Sequence, residues 1–146
     1  MTGLLSPAGT TTRRPTFHPL TVAHVERLTE EATAITFAVP EELAEAFGFL
    51  PGQHLTLRRV GDGGEVRNSY SICQSARGGR PGTLRVAAAK VAGGRMSPWL
   101  VDELAVGDVV DVMTPMGTFT CPAQPESSRH HVAIAATKRS ARARPA

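Results

Sequence analysis

The sequence predicts an all-β fold, a six-stranded antiparallel Greek-key barrel with one short helix between strands five and six. Apolar residues recur at every second position in most segments, which is the period of a β-strand. The 146 residues include 14 Gly and 11 Pro, and many of these lie between the alternating segments, where they favour turns. Closure into a barrel would leave no exposed strand edge.

The first half of the chain contains two predicted strand pairs. Their strands are residues 20–29, 33–39, 54–60 and 66–73. Residues 40–49 lose the alternation, and Pro40 at a first helical position, acids in the first turn and Gly48 near the end predict one or two turns of helix. The sequence GDGG at 61–64 predicts the turn of a hairpin.

The second half of the chain supplies the remaining strands and the one clear helix. The predicted strands are 83–91, 108–113 and a shorter one at 117–120. Helix 97–104 is predicted with Ser97 as its N-cap and Pro98 at the first helical position. Its apolar stripe consists of Leu100, Val101 and Leu104.

The ends of the chain differ from this central region, which we place at 16–128. Residues 1–15 lack any periodicity and predict a flexible leader. Residues 129–136 include the unbroken apolar run HVAIAA, which is typical of a buried parallel strand and predicts the first strand of a second domain. Residues 137–146 form a basic tail that we interpret as non-native sequence.

Charge, cysteine and hydropathy patterns narrow the possible functions. Four of the 16 basic residues lie in the tail, which leaves 12 against 13 acidic residues, and this balance argues against a nucleic-acid surface. Cys73 and Cys121 are too few for an iron–sulfur cluster, and the five histidines lack metal-ligand spacing, so no metal site is predicted. Without an apolar run of roughly 20 residues or a signal peptide, the chain is predicted to be cytoplasmic, with no membrane partner.

The strand VRNSYSIC at 66–73 is unusually polar and holds the only tyrosine of the chain. Strand alternation places Asn68, Tyr70 and Ile72 on one face and Arg67, Ser69, Ser71 and Cys73 on the other. A solvent-exposed face would explain these polar groups without any ligand. A packing role would likewise explain a single tyrosine.

Three further stretches change this interpretation when they are considered together. LPGQHL at 50–55 and PMGTF at 115–119 are ordinary turns by themselves, and GGRMSPW at 93–99 places two glycines and a serine at a helix start, where N–H groups favour a phosphate. In this order, around the tyrosine strand, they resemble the flavin-binding barrel of the ferredoxin–NADP reductase superfamily over about residues 17–136. Within it, VRNSYSIC and AAAKVAGGRMS are most similar to the reductase subunit of phenylacetyl-CoA epoxidase and related ring-oxygenase reductases.

The resemblance implies an FAD site, with FMN as the less favoured cofactor. Tyr70 is expected to stack on the isoalloxazine ring and Ser71 to lie near flavin N5, which makes them the two catalytic candidates. The resemblance also implies contacts from residues that pass the flavin, the ribityl chain and the pyrophosphate. These are Arg67, Asn68, Ile72, Ala88, Lys90, Gly93, Gly94, Arg95, Met96 and Ser97.

One position departs from the family pattern. The family places an arginine two residues before the tyrosine, where it clamps the pyrophosphate, but this chain has Asn68 there. Arg67 points the other way in a regular strand. Either a β-bulge re-aims Arg67, or Asn68 and another base such as Arg95 or Lys90 replace the clamp.

The function implied by the resemblance is that of an NAD(P)H-dependent reductase that passes electrons from NADPH through flavin to an iron–sulfur or oxygenase partner. In the family, strand 129–136 opens the NADP-binding domain and is followed by a Gly-rich turn, whereas this chain continues with TKRSARARPA. We therefore expect a truncated or frameshifted fragment that keeps the FAD barrel without independent turnover. The alternative is a cofactor-free β-barrel interaction module whose basic tail binds an acidic partner or nucleic acid.

Overall fold

The barrel contains six strands and one helix in a computed structural model that describes residues 14–75 and 79–120. The elements in chain order are β1 (Phe17–Thr29), β2 (Ala32–Ala38), a 3₁₀ helix (Glu41–Leu43), β3 (His54–Gly61), β4 (Gly64–Ser71), β5 (Thr83–Ala89), α1 (Ser97–Asp102) and β6 (Val109–Met113). Six of the predicted strands and the predicted position of the helix between strands five and six are confirmed.

The strands form one antiparallel sheet in the order β4-β3-β6-β1-β2-β5. Its two ends meet, because Ile72 just after β4 forms an antiparallel bridge with Val86 of β5. The N–H of Cys73 also donates to the carbonyl oxygen of Arg85 at 2.9 Å. These contacts close the sheet, and the predicted all-β Greek-key barrel is confirmed.

The core lies inside the barrel and beneath α1. Its members are the inward-facing apolar residues of the strands together with the buried side of α1 and the loop before it. They include Leu20, Val22, Ile35, Phe37, Leu55, Leu57, Val86, Val110, Val112, Met96, Leu100 and Leu104. Because burial of each large side chain stabilises the fold by about 1.5–3 kcal/mol, this set supplies the main driving force. The predicted apolar side chains Leu100, Val101 and Leu104 are buried, although α1 ends at Asp102, before Leu104.

Two predicted helix starts are wrong in detail. Within residues 40–49 the only helix is the 3₁₀ turn Glu41–Leu43, and Pro40 precedes it as the N-cap instead of occupying the first helical position. Ser97 is the first residue of α1, whose N-cap is Met96. The hydroxyl oxygen of Ser97 instead accepts a hydrogen bond from the N–H of Val91 at 3.0 Å, so a contact within the preceding loop replaces the expected cap.

The predicted short strand at 117–120 is also absent from the described residues. Met116 makes only an isolated bridge with His54. Gly117 then adopts a φ of 121°, which breaks the extended backbone. The predicted leader up to residue 13, the strand at 129–136 and the tail at 137–146 lie outside the described residues, as does Cys121.

Two kinds of feature are absent from the described part of the chain. No helix there is long and apolar enough to cross a membrane. The same residues contain no group of three or more His, Cys, Asp or Glu side chains that could hold a metal ion.

Candidate cofactor site

In the part of the chain that the structure describes, the barrel wall between β4 and β5 is paired at one end only, near Ile72. Within the described residues, the only strand pairing that joins them is the bridge between Ile72 and Val86. A continued antiparallel ladder would place Tyr70 opposite Ala88, and Asn68 opposite the position of Lys90. Because these pairs are not formed, the segments 66–70 and 88–90 border a gap, which we call the β4–β5 opening.

Tyr70 lies beside this opening, on the inner face of β4. Its cross-strand partner is the fully buried Leu55, and its ring packs against the core while remaining partly exposed. Its hydroxyl oxygen is buried and has no partner that meets hydrogen-bond geometry in the described residues. Burial raises the pKa of the Tyr70 phenol above its ordinary value of 10.0, and the nearby Asn68 side chain offsets part of this rise. A partly exposed aromatic face beside an opening suits a planar ligand.

The strand carrying Tyr70 is regular, which decides the orientation of its neighbours. The β3–β4 register runs without a bulge from the Gly61–Gly64 pair to the His54–Ser71 pair. Asn68 pairs with the buried Leu57 and so shares the face of Tyr70. Arg67 lies on the outer face, where it forms an ion pair with Glu65 and its guanidinium carbon lies 5.1 Å from the centroid of the Phe17 ring. The bulge hypothesis for Arg67 is therefore wrong.

The two residues after Tyr70 differ in position. Ser71 is exposed and lies on the outer face, opposite His54 in the β3–β4 pairing. Ile72 is partly buried, packs against the core and forms the closing bridge with β5. The predicted residues of this strand therefore do not converge on one surface, since Asn68 and Tyr70 border the opening whereas Arg67 and Ser71 face away from it.

The β5 side of the opening is formed by Ala88, whose side chain is buried, and by Lys90, whose side chain forms an ion pair. Ala88 is 2% exposed, so it contributes its backbone and the bulk of its methyl group to the inner face. Lys90 is exposed, and its ammonium group forms an ion pair with Asp102 of α1. The charge of Lys90 is therefore already matched by a carboxylate.

The loop from β5 to α1 turns tightly at two glycines. Gly93 has a φ of 74°, a conformation that favours glycine. A Cβ atom on Gly94 would lie 3.0 Å from the carbonyl oxygen of Val91 and 3.2 Å from the hydroxyl oxygen of Ser97. The backbone there is therefore packed too closely for a side chain without a local shift.

The end of this loop carries backbone N–H groups without acceptors. The side chain of Met96 is 1% exposed and that of Ser97 is 5% exposed, so both point inward. Within the described residues, the N–H groups of Arg95, Met96 and Ser97 have no hydrogen-bond acceptor. Because α1 has only six residues, the donors available here are these individual N–H groups.

Arg95 extends from this loop to the β3–β4 turn. Its guanidinium donates a hydrogen bond to the carbonyl oxygen of Gly63. Together with Arg59, Val66 and the turn residues, it lines a cavity of about 270 Å³. The guanidinium carbon of Arg59 lies 4.7 Å from the centroid of the Trp99 ring on α1. Three larger cavities, of about 400, 450 and 580 Å³, contain none of the predicted site residues.

Sequence reasoning missed Arg59 and the contribution of the β3–β4 turn. One signal was present, because Arg59 has the same strand parity as the core residues Leu55 and Leu57. An arginine at an inward-facing position is unusual and indicates a special environment. The approach of Arg95 to Gly63 has no counterpart in the local sequence pattern.

Comparison with known proteins identifies the family of this barrel. The family model for the oxidoreductase FAD-binding domain matches residues 19–121. The chain belongs to the oxidoreductase FAD-binding domain family. The family resemblance and the FAD cofactor predicted from the sequence are thereby confirmed. The match argues against the alternative of a cofactor-free barrel.

Several relatives share the barrel. The E subunit of 1,2-phenylacetyl-CoA epoxidase from Escherichia coli K12 is 47% identical over 121 residues, which are 83% of this chain and 33% of that protein. The ferredoxin reductase component of 3-ketosteroid-9-alpha-monooxygenase from Rhodococcus rhodochrous is 39% identical over 69% of this chain and 28% of that protein. The crystal structure of an Amycolatopsis cytochrome P450 reductase matches with a TM-score of 0.62 and 28% identity, over 78% of this chain and 32% of that chain. The chain thus spans about one third of the length of the curated relatives it matches.

Proposed function

We propose that the chain is the FAD barrel of an NAD(P)H-dependent reductase that passes electrons from NADPH through flavin to an iron–sulfur or oxygenase partner. The partner class is supported by two relatives, one named as a subunit of 1,2-phenylacetyl-CoA epoxidase and one as the ferredoxin reductase component of a monooxygenase. The observation that carries the proposal is the β4–β5 opening with the partly exposed ring of Tyr70 beside it.

Tyr70 is the residue proposed to hold the isoalloxazine ring. Its ring is fixed by packing against the core, so little side-chain entropy is lost when a planar ligand stacks on its exposed part. The adjoining amide of Asn68 and the backbone of Ala88 line the same opening. The buried, unpartnered hydroxyl keeps its proton up to a high pH, because burial raises its pKa.

The loop before α1 is proposed to hold the phosphate end of FAD. The N–H groups of Arg95, Met96 and Ser97 have no acceptor within the described residues, and anionic oxygens are strong acceptors for such donors. Gly93 and Gly94 let the backbone approach a ligand closely. Lys90 is proposed to line the rim of the opening without adding net charge to the site, since Asp102 already neutralises its ammonium group.

Bound FAD would supply the redox chemistry, taking up a hydride and releasing single electrons, while the protein orients the ring and excludes water. The role of Ser71 near flavin N5 stays a prediction from the family resemblance, because its exposed side chain leaves β4 on the face opposite Tyr70. Arg67 is left out of the proposed site, because it packs on the outer face. The cytoplasmic location stays a prediction from the sequence.

The stacking role can be tested with two substitutions at one position. Tyr70→Leu removes the aromatic ring, and Tyr70→Phe is the matched control that keeps it. We expect Tyr70→Leu to raise the Kd for FAD about tenfold, because aromatic stacking of this kind contributes about 1–3 kcal/mol. Tyr70→Phe should change the Kd less than about threefold. Equal FAD affinity in all three proteins would contradict the proposed position of the ring.

The electron-transfer role requires a separate assay. The FAD-loaded chain, reduced chemically, should pass electrons to ferricyanide, because its flavin is held at an opening of the barrel. A reduced flavin that cannot reach ferricyanide would contradict the electron-transfer role.

A further inference from the structure

Four basic side chains are candidates to balance a phosphate charge, although Arg67 lies on the outer face of β4, and three of the four are matched by carboxylates. Arg67 pairs with Glu65, and Lys90 pairs with Asp102. Arg59 lies 4.0 Å from a carboxylate oxygen of Glu103. Among these four, and within the described residues, only Arg95 has a neutral carbonyl oxygen as its hydrogen-bond partner and no carboxylate within ion-pair distance.

The guanidinium of Arg95 is held at a defined place. It leaves the loop before α1 and reaches the β3–β4 turn, where it donates to the carbonyl oxygen of Gly63. A Cβ atom on Gly63 would lie 2.7 Å from a terminal nitrogen of that guanidinium. Glycine at position 63 therefore provides the space in which the arginine crosses the gap between the loop and the turn.

The guanidinium of Arg95 and the ring of Tyr70 lie near opposite ends of β4. Val66, which lines the same cavity as Arg95, begins the inward-facing row of β4 that continues through Asn68 to Tyr70. Strand geometry places Val66 about 13 Å from Tyr70. The ring end and the charged end of the opening are thus separated along one strand, as the isoalloxazine and the pyrophosphate are separated by the ribityl chain.

We propose that Arg95, held by the β3–β4 turn at Gly63, is the phosphate-binding side chain of this flavin site. It takes the role of the family's arginine, whose position in this chain is occupied by Asn68. This inference rests on the proposed function. A guanidinium has five N–H donors, so the bond to Gly63 leaves others for phosphate oxygens. The neutral Asn68 can donate a hydrogen bond but cannot balance the phosphate charge, and Lys90 is already paired.

The test compares FAD with riboflavin, which has the same ring but no phosphate. Arg95→Ala should weaken FAD about tenfold to a hundredfold, because charge-assisted hydrogen bonds to phosphate are lost. Riboflavin affinity should change less than about twofold, which also shows that the variant is folded. Arg95→Lys should lie between the wild type and Arg95→Ala. The matched control is Arg67→Ala, which removes an arginine from the outer face and should leave both affinities unchanged.

Two further variants examine the mechanism. Gly63→Ala displaces the guanidinium without removing it, and should weaken FAD several-fold while sparing riboflavin. Asn68→Arg in the Arg95→Ala background returns a guanidinium to the family position, and should restore FAD affinity about tenfold or more.

The possible failures are distinguishable. A wild-type protein that binds neither flavin would overturn the proposed function itself. A wild-type protein that binds FAD, with an FAD-to-riboflavin affinity ratio unchanged by Arg95→Ala, would overturn only the role of Arg95. An equal loss of both flavins in Arg95→Ala would also overturn it, because the arginine would then act on the fold or the ring site.

Discussion

Replacement of Tyr70 by phenylalanine should stabilise the flavin-free barrel. The change removes one hydroxyl oxygen that is buried without a well-formed hydrogen bond, and it keeps the ring that packs against the core. A buried polar group without a partner costs about 1–3 kcal/mol. Because Asn68 recovers part of this cost, we expect the free energy of unfolding to rise by about 1 kcal/mol, which corresponds to about 4 °C in Tm for a domain of this size.

Urea unfolding followed by tryptophan fluorescence provides the assay. Trp99 is the only tryptophan, and it lies on α1 against Arg59, so its emission reports the closed barrel. The matched control is Tyr70→Leu, which removes the hydroxyl and also the ring packing, and should destabilise the barrel. The reasoning would be refuted if Tyr70→Phe lowered the free energy of unfolding by about 1 kcal/mol or more, since the hydroxyl would then make a stabilising bond.

Three other predictions follow from single contacts. Because the folded state raises the pKa of Tyr70, the contribution of the protonated phenol to stability is complete below pH 10 and is lost as the pH rises through the folded pKa. Tyrosinate absorbance reports the titration of this residue alone. Bound FAD should shift the titration to still higher pH, whereas an unshifted titration would place the flavin elsewhere. Ser97→Ala leaves the Val91 N–H without its acceptor and should cost about 1–3 kcal/mol of unfolding free energy, measured by urea denaturation, while an unchanged value would show that another acceptor replaces it. Gly52→Ala places a Cβ atom 1.9 Å from the Phe119 carbonyl oxygen at a φ of 97°. It should lower Tm far more than Gly64→Ala, where φ is 87° but the Cβ atom would meet open space and the expected cost is about 1–2 kcal/mol. Equal effects of the two substitutions would mean that the Phe119 segment moves away freely.

Alternation of apolar residues predicted the strands well, because the barrel buries one face of each strand. β1 nevertheless begins at Phe17, three residues before its predicted start, since its pairing with β6 continues through Pro19. A proline normally argues against a strand interior, so the local signal was misleading there. Ser97 gave a similar local signal for an N-cap, but the Val91 N–H took its hydroxyl oxygen.

The candidate site was only partly predictable for a related reason. Strand parity correctly separated Tyr70 from Arg67, and it excluded a phosphate role for Arg67 once the strand proved regular. The contact between Arg95 and Gly63 joins residues 32 positions apart, and it exists only because the barrel brings the α1 loop to the β3–β4 turn. No periodicity in the sequence records such a contact.

The most direct test of the FAD site is a titration of the purified chain with FAD, followed by flavin absorbance and fluorescence. We predict saturable one-to-one binding, with flavin emission quenched by the ring of Tyr70 and with less quenching in Tyr70→Leu. A chain that remains folded by tryptophan fluorescence but shows no change in FAD absorbance or emission would contradict the proposed FAD site.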